Sequence, residues 1–376
     1  MRIVLLIRSL GCGGAERQAL LLAGHLGRRH DVSVMTFYAG DDFFCADAAP
    51  AAFRRVRLGK RGRWDLAAFG TSFLKAIRQA RPDVIYAFMG TASLLSLAAR
   101  LTHPRPRLVW GIRASNMDLR RYGTVHRVLR QVERLASPLA DLVIPNSEAG
   151  RRQAIREGFR HDILVVPNGI DSTRFARDEE GARRIRAELG IPPGAPVVGI
   201  VARHDPMKGY ETFLRAAGIY REANTLVYFL SVGDGDAGYT ASLTSLAAGL
   251  HLGSRMIWAG AAVDLAPYYS AMTLLTSSSA FGEGFSNAVG EAMSCGVPCV
   301  VTDVGDSAAI VADTGWVVPP GAPAALAKAW DTALRLPAPE LRARGEAARR
   351  RVAGSYSEER TVTLTEAALT HLVQTT

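Results

Sequence analysis

Two glutamates, Glu283 and Glu291, stand eight positions apart around the small turn Gly284-Phe285-Ser286-Asn287. The apolar run Met272–Thr276 before them has strand character, and Asn287–Cys295 after them has helix character. That order puts Glu283 in the loop entering a helix and Glu291 within the helix's early turns. The backbone N–H groups of Phe285, Ser286 and Asn287 then stand at a helix N-terminus, where intrahelical acceptors are missing and an anion is favoured. Carboxylates repel phosphate, yet they accept hydrogen bonds from sugar hydroxyls on either side of one. A nucleotide sugar has that layout of ribose, diphosphate and hexose. The competing reading is a solvated Glu283 and an ion-paired Glu291, since two Glu at this spacing arise by chance in many helices.

A second group supplies positive charge. Arg203 and Lys208-Gly209 follow the strand-like run Val197–Val201 and precede a helix-like segment from Tyr210. Two fixed cations at a strand end suit a departing diphosphate in a site that excludes water. Two surface bases are the alternative in a chain with 45 Lys and Arg. After the first strand-like run comes Gly11-Cys12-Gly13-Gly14-Ala15-Glu16, a turn that lets backbone approach a phosphate closely. A dinucleotide fingerprint would need glycine where Glu16 stands, which argues against NAD or FAD. A plain tight turn would also use these glycines. Further glycine-bearing turns are Gly233-Asp234-Gly235-Asp236, Ala259-Gly260-Ala261 and Asp303-Val304-Gly305-Asp306.

The elements that must position these residues alternate. In the first half, strand candidates are Arg2–Arg8, Val32–Phe37, Val84–Phe88, Leu108–Gly111, Leu142–Pro145 and Ile163–Val166. Helix-like stretches such as Ala15–Leu26, Leu66–Ala80, Thr124–Ala136 and Glu148–Gly158 lie between them. This rhythm predicts an α/β fold with a mostly parallel sheet covered on both faces. Pro167 and Asn168-Gly169 interrupt it. A charged stretch, Arg174–Glu188, and Pro192-Pro193-Gly194 follow. A second series then runs through Val197–Val201, Leu226–Val232, Met256–Trp258, Met272–Thr276, Cys299–Thr302 and Trp316–Val318. Glu340–Val373 reads as two helices. The chain accordingly divides into residues 1–168, 169–354 and 355–376. Ligands of such sheets bind outside the carboxyl ends of the strands.

Composition narrows the classes. At 376 residues and 48% apolar content, two domains with real cores are expected. Cys12, Cys45, Cys295 and Cys299 form no CxxC pair and no zinc spacing, so no metal site and a reducing cytoplasm are expected. Arg8 cuts short the apolar Ile3–Ile7, which reads as a buried strand rather than a leader, and no run is long enough for a membrane span. Residues 1–170 hold 27 Lys and Arg against 13 Asp and Glu, a net of +14, while the remainder carries −4. No helix-turn-helix, zinc or stacking motif accompanies that charge, so nucleic acid is not expected. An anionic membrane face, or a lipid diphosphate in it, is the better partner. Two segments could meet it: Arg54-Arg55 through Arg57, Lys60, Arg61 and Arg63-Trp64, and the helix-like Thr124–Ala136, with Arg127, Arg130 and Arg134 on one face. The second could equally turn its valines and leucines onto the sheet.

Glu283…Glu291, Arg203…Lys208-Gly209 and Gly13-Gly14-Ala15-Glu16 occur in the order, and on the elements, of the retaining glycosyltransferases of family 4 (group 1). The chain resembles that family over nearly its whole length. The resemblance implies the GT-B fold, two Rossmann-like domains with a deep interdomain cleft. Residues 1–168 would be the acceptor-binding domain, 169–354 the nucleotide-sugar-binding domain, and 355–376 a helix crossing back to the first, with Ser355–His371 the candidate. It further implies that Glu291 holds the ribose hydroxyls, Glu283 faces the donor sugar, and Arg203 and Lys208 neutralise the diphosphate. Gly13 and Gly14 would border donor phosphate and acceptor, with Glu16 on the acceptor side. Gly235 would belong to a Gly-x-Gly loop, and Gly260 to the loop that receives the base. Asp234-Gly235-Asp236 is similar to the metal motif of other glycosyltransferases, but family 4 generally needs no metal. The nucleotide sugar, expected to be a UDP-sugar, would be a co-substrate and no cofactor is implied.

One departure stands out. Many relatives carry a histidine after a first-domain strand, near the donor sugar. The corresponding stretch here, Val109–Asn116, has none. Arg113 or Asn116 would take the hydroxyl-binding role, or Arg113 would grip an acceptor phosphate. The implied reaction is front-face transfer of a hexose or N-acetylhexosamine to a lipid-linked saccharide or surface glycan. The protein would then be cytoplasmic or peripheral on the inner face of the membrane. A GT-B nucleotide-sugar epimerase and a non-catalytic sugar-nucleotide-binding or membrane scaffold protein are the alternatives.

Overall fold

Apolar runs of four to six residues form the strands here, and the segments between them are amphipathic helices. A computed structural model of the chain describes every residue except 12, 39–51, 63–64, 116–123, 160–161, 224–225 and 376. In chain order the first elements are β1 (Arg2–Ile7), α1 (Gly14–Leu26), β2 (Asp31–Thr36), β3 (Arg54–Arg57), α2 (Leu66–Ala80) and β4 (Val84–Phe88). Then come α3 (Gly90–Ser96), β5 (Arg107–Ile112), α4 (Thr124–Ala136), β6 (Leu142–Pro145), α5 (Glu148–Arg156) and α6 (Glu179–Glu188). The later strands and helices are β7 (Val197–Val201), α7 (Tyr210–Ala223), β8 (Tyr228–Val232), α8 (Ala237–Gly249), β9 (Met256–Trp258) and α9 (Ala266–Ala271). They continue with β10 (Leu274–Ser277), α10 (Asn287–Ser294), β11 (Cys299–Thr302), α11 (Ser307–Val311) and β12 (Trp316–Val318). The chain closes with α12 (Pro323–Leu334), α13 (Ala338–Ser355) and α14 (Glu358–Gln374).

The chain forms two compact units, Met1–Gly169 with Glu358–Thr376, and Ile170–Ser357. In the N-terminal unit the parallel sheet runs β3-β2-β1-β4-β5-β6. Side chains alternate across it. Ile3, Leu5 and Ile7 of β1 pack with Leu22 and Leu26 of α1 and Val362 and Leu369 of α14. Val4 and Leu6 pack on the other face with Phe69, Phe73 and Ile77 of α2. Polar ties also hold α14 to this unit: Arg29 and His30 pair with Glu366, and His25 with Glu358. Thr361 donates to the Pro167 carbonyl.

The C-terminal unit repeats the topology. Its parallel sheet runs β12-β11-β10-β7-β8-β9. Counted within each unit, both orders are 3-2-1-4-5-6, the doubly wound arrangement whose strand order reverses beside the first strand. The reversal falls between β1 and β4 in one unit and between β7 and β10 in the other. Loops leaving those strands therefore open the crevice that binds ligands in such sheets. The fully buried Trp330 of α12 anchors the underside, donating its indole N–H to Thr276 of β10 at 2.9 Å.

Three expectations change. Ile163–Val166 is not a strand. It forms one parallel bridge, Val143 to Ile163, and runs on beside β6 as irregular extended chain, its Leu164 and Val166 N–H groups donating to the Val143 and Pro145 carbonyls at 3.0 Å, until Pro167. Arg54–Arg57 is not merely a basic surface element; it is β3, hydrogen-bonded beside β2 at the sheet edge. The strand read at Met272–Thr276 begins at Leu274, because Met272 still closes α9 by donating to the Tyr269 carbonyl.

Helix α4 resolves an ambiguity left by its sequence. Val125, Val128, Val132 and Leu135 are 44–71% exposed, and the buried residue of the helix is Glu133. Arg130 donates to Glu133 at 2.7 Å and to Glu157 at 2.8 Å, so the Arg130–Glu133 side of this helix faces in, while Arg127 stays exposed. Among the described residues, no helix is long and apolar enough to cross a membrane.

Glycine is a steric requirement where the loop after β7 meets the loop after β10. Gly209 has φ +64°, and a Cβ there would lie 2.0 Å from the Ser278 carbonyl oxygen. Gly190 has a similar φ of +66° with no atom near an added Cβ. Gly190→Ala should cost about 1–3 kcal/mol from backbone conformation alone. Gly209→Ala should cost clearly more, read as a lower urea midpoint than Gly190→Ala. Equal midpoints would mean the two loops do not meet as described.

Candidate active site

The C-terminal unit's crevice is built from the loops that leave β7 and β10. Asp205 caps a short turn of 3₁₀ helix by accepting from the Met207 N–H, which brings Lys208 to the front of the loop. The β10 loop locks onto it: Ser278 donates to the Lys208 carbonyl at 3.0 Å, and the Ala280 N–H to the Met207 carbonyl at 2.8 Å. With both loops pinned, the Lys208 ammonium donates to Glu283 Oε2 at 2.7 Å, across 75 residues of sequence. Ser279 donates to the same oxygen at 2.8 Å. Glu283 is 7% exposed, which excludes a solvated role. Gly305, at φ +66°, lies flush against the Glu283 and Gly284 carbonyls, and the Asp306 N–H donates to Gly284 at 3.0 Å.

Glu291 sits in the second turn of α10, 2% exposed, and accepts from the Tyr269 hydroxyl at 2.7 Å. Phe285 sends its ring into the core against Tyr356, leaving its backbone at the mouth of α10. Ser286 is the N-cap, and its side chain makes no capping hydrogen bond. Asn287 opens the helix.

Arg203 stands apart. It is largely exposed and pairs with Asp205 at 2.8 Å, so it does not join the Lys208–Glu283 pair. Beneath it the glycine loop after β8 is seated tightly. A Cβ on Gly233 would lie 2.0 Å from the Ala202 carbonyl, and one on Gly235 would lie 2.3 Å from the His204 carbonyl. Gly260, at φ +72°, accepts from the Gly233 N–H at 2.7 Å and faces open space. Asp236 caps α8 by accepting from the Tyr239 N–H, a structural task for one half of the metal-like Asp234/Asp236 pair. Among the described residues, no group of three or more His, Cys, Asp or Glu could hold a metal ion.

The N-terminal unit holds the remaining candidates. Gly13 is the extended N-cap of α1, and Gly14 is its first residue. Glu16 folds back over Gly13, where an added Cβ would meet its carboxylate at 2.0 Å. Arg113 follows β5 directly, donating to the Tyr86 hydroxyl at 2.6 Å and to Asn168 Oδ1 at 3.1 Å. Asn116 lies outside the described residues.

The sequence reading missed Tyr269, Ser279 and Met89. The run Ser277-Ser278-Ser279 at a strand end was a usable signal for the second. Tyr269 reaches Glu291 from another helix, and no local pattern announces that. Met89, after β4 at the strand-order reversal, holds φ +72° and ψ 157°. That region is essentially glycine's, and strain there clusters at ligand sites.

This doubled sheet topology defines the class. The protein has the GT-B fold, and it aligns with the crystal structure of Anabaena Alr3699/HepE in complex with UDP and glucose at a TM-score of 0.86. That alignment has 22% identity and covers 98% of this chain and 99% of the other. Residues 12–174 match the family model described as Glycosyltransferase Family 4, and residues 195–335 match Glycosyl transferases group 1. The chain belongs to the group 1, family 4 glycosyltransferases. A D-inositol 3-phosphate glycosyltransferase of Nocardia farcinica is 32% identical over 191 residues, 48% of this chain and 42% of that protein. A Campylobacter jejuni enzyme is 27% identical over 113 residues, 29% of this chain and 32% of that protein. Its name describes an α-1,4-N-acetyl-D-galactosaminyltransferase acting on an undecaprenol-diphosphate-linked saccharide. The chain thus spans about half, or less, of the length of these curated relatives.

His204 reports on the integrity of the Arg203 loop. Its ring lies between Thr240 and Ser231 and against Tyr210 and Trp258. Burial holds its pKa below 6.5, against the opposing pull of Asp234. Below pH 6.5 the unfolded chain therefore binds the extra proton first, and this contribution to stability falls as pH drops toward the folded-state pKa. Thermal unfolding from pH 7.5 to 5 should show a steeper loss for the wild type than for His204→Gln. Parallel curves would mean His204 is not held neutral.

Proposed function

We propose that the chain is a retaining, metal-independent glycosyltransferase. It moves a hexose or N-acetylhexosamine from a UDP-sugar to a phosphate-bearing or lipid-linked saccharide acceptor. The observation that carries this reading is the Lys208–Glu283 pair, shielded from water where the strand order reverses. Bound donor would bring its diphosphate to Lys208 and a sugar hydroxyl to Glu283, so each group exchanges one polar partner for another. Glu291 would accept from the ribose hydroxyls, and the α10 N-terminus would face the phosphates. Arg203's exposed ion pair with Asp205 is worth about 0–1 kcal/mol, so turning to a phosphate costs little.

In the reaction, the bond from the anomeric carbon to the β-phosphate oxygen breaks, and its electron pair stays with UDP. The acceptor hydroxyl attacks the same face, and its proton passes to the departing phosphate oxygen. Lys208 and Arg203 stabilise the charge that develops there, the role that preorganised cations fill best. The protein contributes positioning and electrostatics, with no covalent nucleophile. The relatives' names support the acceptor class: one acceptor carries a phosphate, the other a lipid diphosphate. Alr3699/HepE was crystallised with UDP-glucose, which supports the donor.

Purified protein with a UDP-sugar and a phosphate-bearing acceptor should release UDP only when the acceptor is present. UDP should also raise the melting temperature more than GDP or ADP does. Lys208→Ala should lower kcat about a hundred- to thousandfold. Glu291→Ala should weaken UDP binding roughly ten- to a hundredfold, the worth of a charged hydrogen bond. UDP release with an epimerised sugar and no acceptor would indicate an epimerase. Binding without turnover would indicate a scaffold.

The exposed apolar face of α4, in a half of the chain with a net charge of +14, supports docking on the anionic inner face of a membrane. The full chain should float with phosphatidylglycerol vesicles more than with phosphatidylcholine vesicles. Serine at Val128, Val132 and Leu135 together should abolish flotation. Absence of wild-type flotation at both low and high salt would remove this part of the proposal.

A further inference from the structure

Among the described residues, Arg113 is a cation held without an anion. Its guanidinium lies 4.7 Å from the Phe88 ring centre and 5.7 Å from that of Tyr86. Its two hydrogen-bond acceptors are the Tyr86 hydroxyl and the Asn168 amide oxygen, both neutral. Burial pushes the Tyr86 phenol's pKa up, so that group stays protonated and supplies no charge. Nε is buried with no acceptor, and among the described residues the guanidinium's hydrogen bonds go to no carboxylate. A guanidinium has five N–H donors, and two are used here.

The fold makes room for this arrangement. Gly111 of β5 carries no side chain, and a Cβ there would meet the Tyr86 ring at 3.1 Å and Arg113 Nε at 3.4 Å. A glycine inside a strand weakens it and marks a close approach. Arg113 is the residue immediately after β5, at the carboxyl edge of the sheet, where ligands of doubly wound folds bind. Beside it β4 is followed by the strained Met89, whose N–H donates to the Gly111 carbonyl at 3.1 Å. Partly burying an uncompensated cation is costly, and the cost is recovered when an anion arrives. A planar, doubly donating fork fits a phosphate or a carboxylate best.

We propose that Arg113 is the binding residue for an oxyanion on the substrate, either the phosphate of the acceptor or the carboxylate of an acidic sugar. This rests on the glycosyltransferase reading only for which molecule carries the anion. A neutral substrate would leave the guanidinium uncompensated, so the site selects against it.

The test uses the full chain saturated with UDP, so that the C-terminal site is filled before any probe is added. Failure of UDP to bind would count against the proposed function and leave the Arg113 measurement readable by itself. Thermal shift is then recorded against inorganic phosphate, D-glucuronate and neutral D-glucose at constant ionic strength. One of the two anions should give a saturable rise and glucose none. Phosphate alone would identify the acceptor phosphate, and glucuronate alone would identify a uronic acid sugar. Arg113→Gln should raise the apparent Kd at least tenfold. Arg113→Lys, which keeps the charge and loses the fork, should raise it severalfold. No saturable rise with either anion in the wild type would overturn the proposal, whether or not the Gln variant folds. So would a Lys variant that binds as the wild type does.

Discussion

The Lys208–Glu283 pair is the constraint on which the C-terminal unit is arranged. Two opposite charges mostly out of water are tolerable only with close geometry and satisfied hydrogen bonds. The 2.7 Å contact and the Ser279 hydroxyl meet that condition. The surrounding loops are shaped to keep it met. Ser278 and Ala280 tie the β10 loop to the β7 loop, and Thr302 of β11 donates to the Ser279 carbonyl at 2.7 Å. Gly209 and Gly305 let backbones meet at distances that any side chain would forbid. Losing one partner would leave the other charge shielded and unpaired, which is why a site of this kind is rigid before its ligand arrives.

The same topology serves two tasks. In the C-terminal unit, the strands flanking the order reversal feed the ion pair. In the N-terminal unit, the corresponding strands end in the Gly13-Gly14 turn and in Met89, with Arg113 one strand further on. Each unit therefore presents charge or glycine-rich backbone at its carboxyl edge. The C-terminal one carries a matched pair and the N-terminal one a cation that is unmatched among the described residues. A matched pair can exchange partners with a ligand that brings both a phosphate and hydroxyls, whereas an unmatched cation calls for an anion.

Helix α4 shows a different economy. Arg130 and Glu133 of this helix join Glu157 at the end of α5 in an inward network, while Val125, Val128, Val132 and Leu135 are left exposed. Burial raises Glu133's pKa against the pull of Arg130. A helix that buries charge and exposes hydrocarbon forgoes the hydrophobic stabilisation of its own packing. That is reasonable where another apolar phase covers the exposed face.

Much of the fold was legible in the sequence, because burial imposes periodicity. The bounds of β4, β6, β7, β9, β11 and β12 agree with runs read directly from it, each a short, mainly apolar segment. The edge strand β3 was not legible, since a strand with arginine at three of its four positions has no hydrophobic signature and is defined by its partner β2. The candidate residues Lys208, Glu283, Glu291 and Arg113 were legible as types in sequence contexts. Their relationships were not. Lys208 meets Glu283 across 75 residues, Tyr269 reaches Glu291 from another helix, and Arg113 finds neutral acceptors 27 and 55 residues away. Sequence alone determined which strands form and which chemical groups stand at their ends. Tertiary structure decided which charges are paired, which is left uncompensated and which side of α4 faces out, because pairing depends on distance through space and on water excluded by distant parts of the chain.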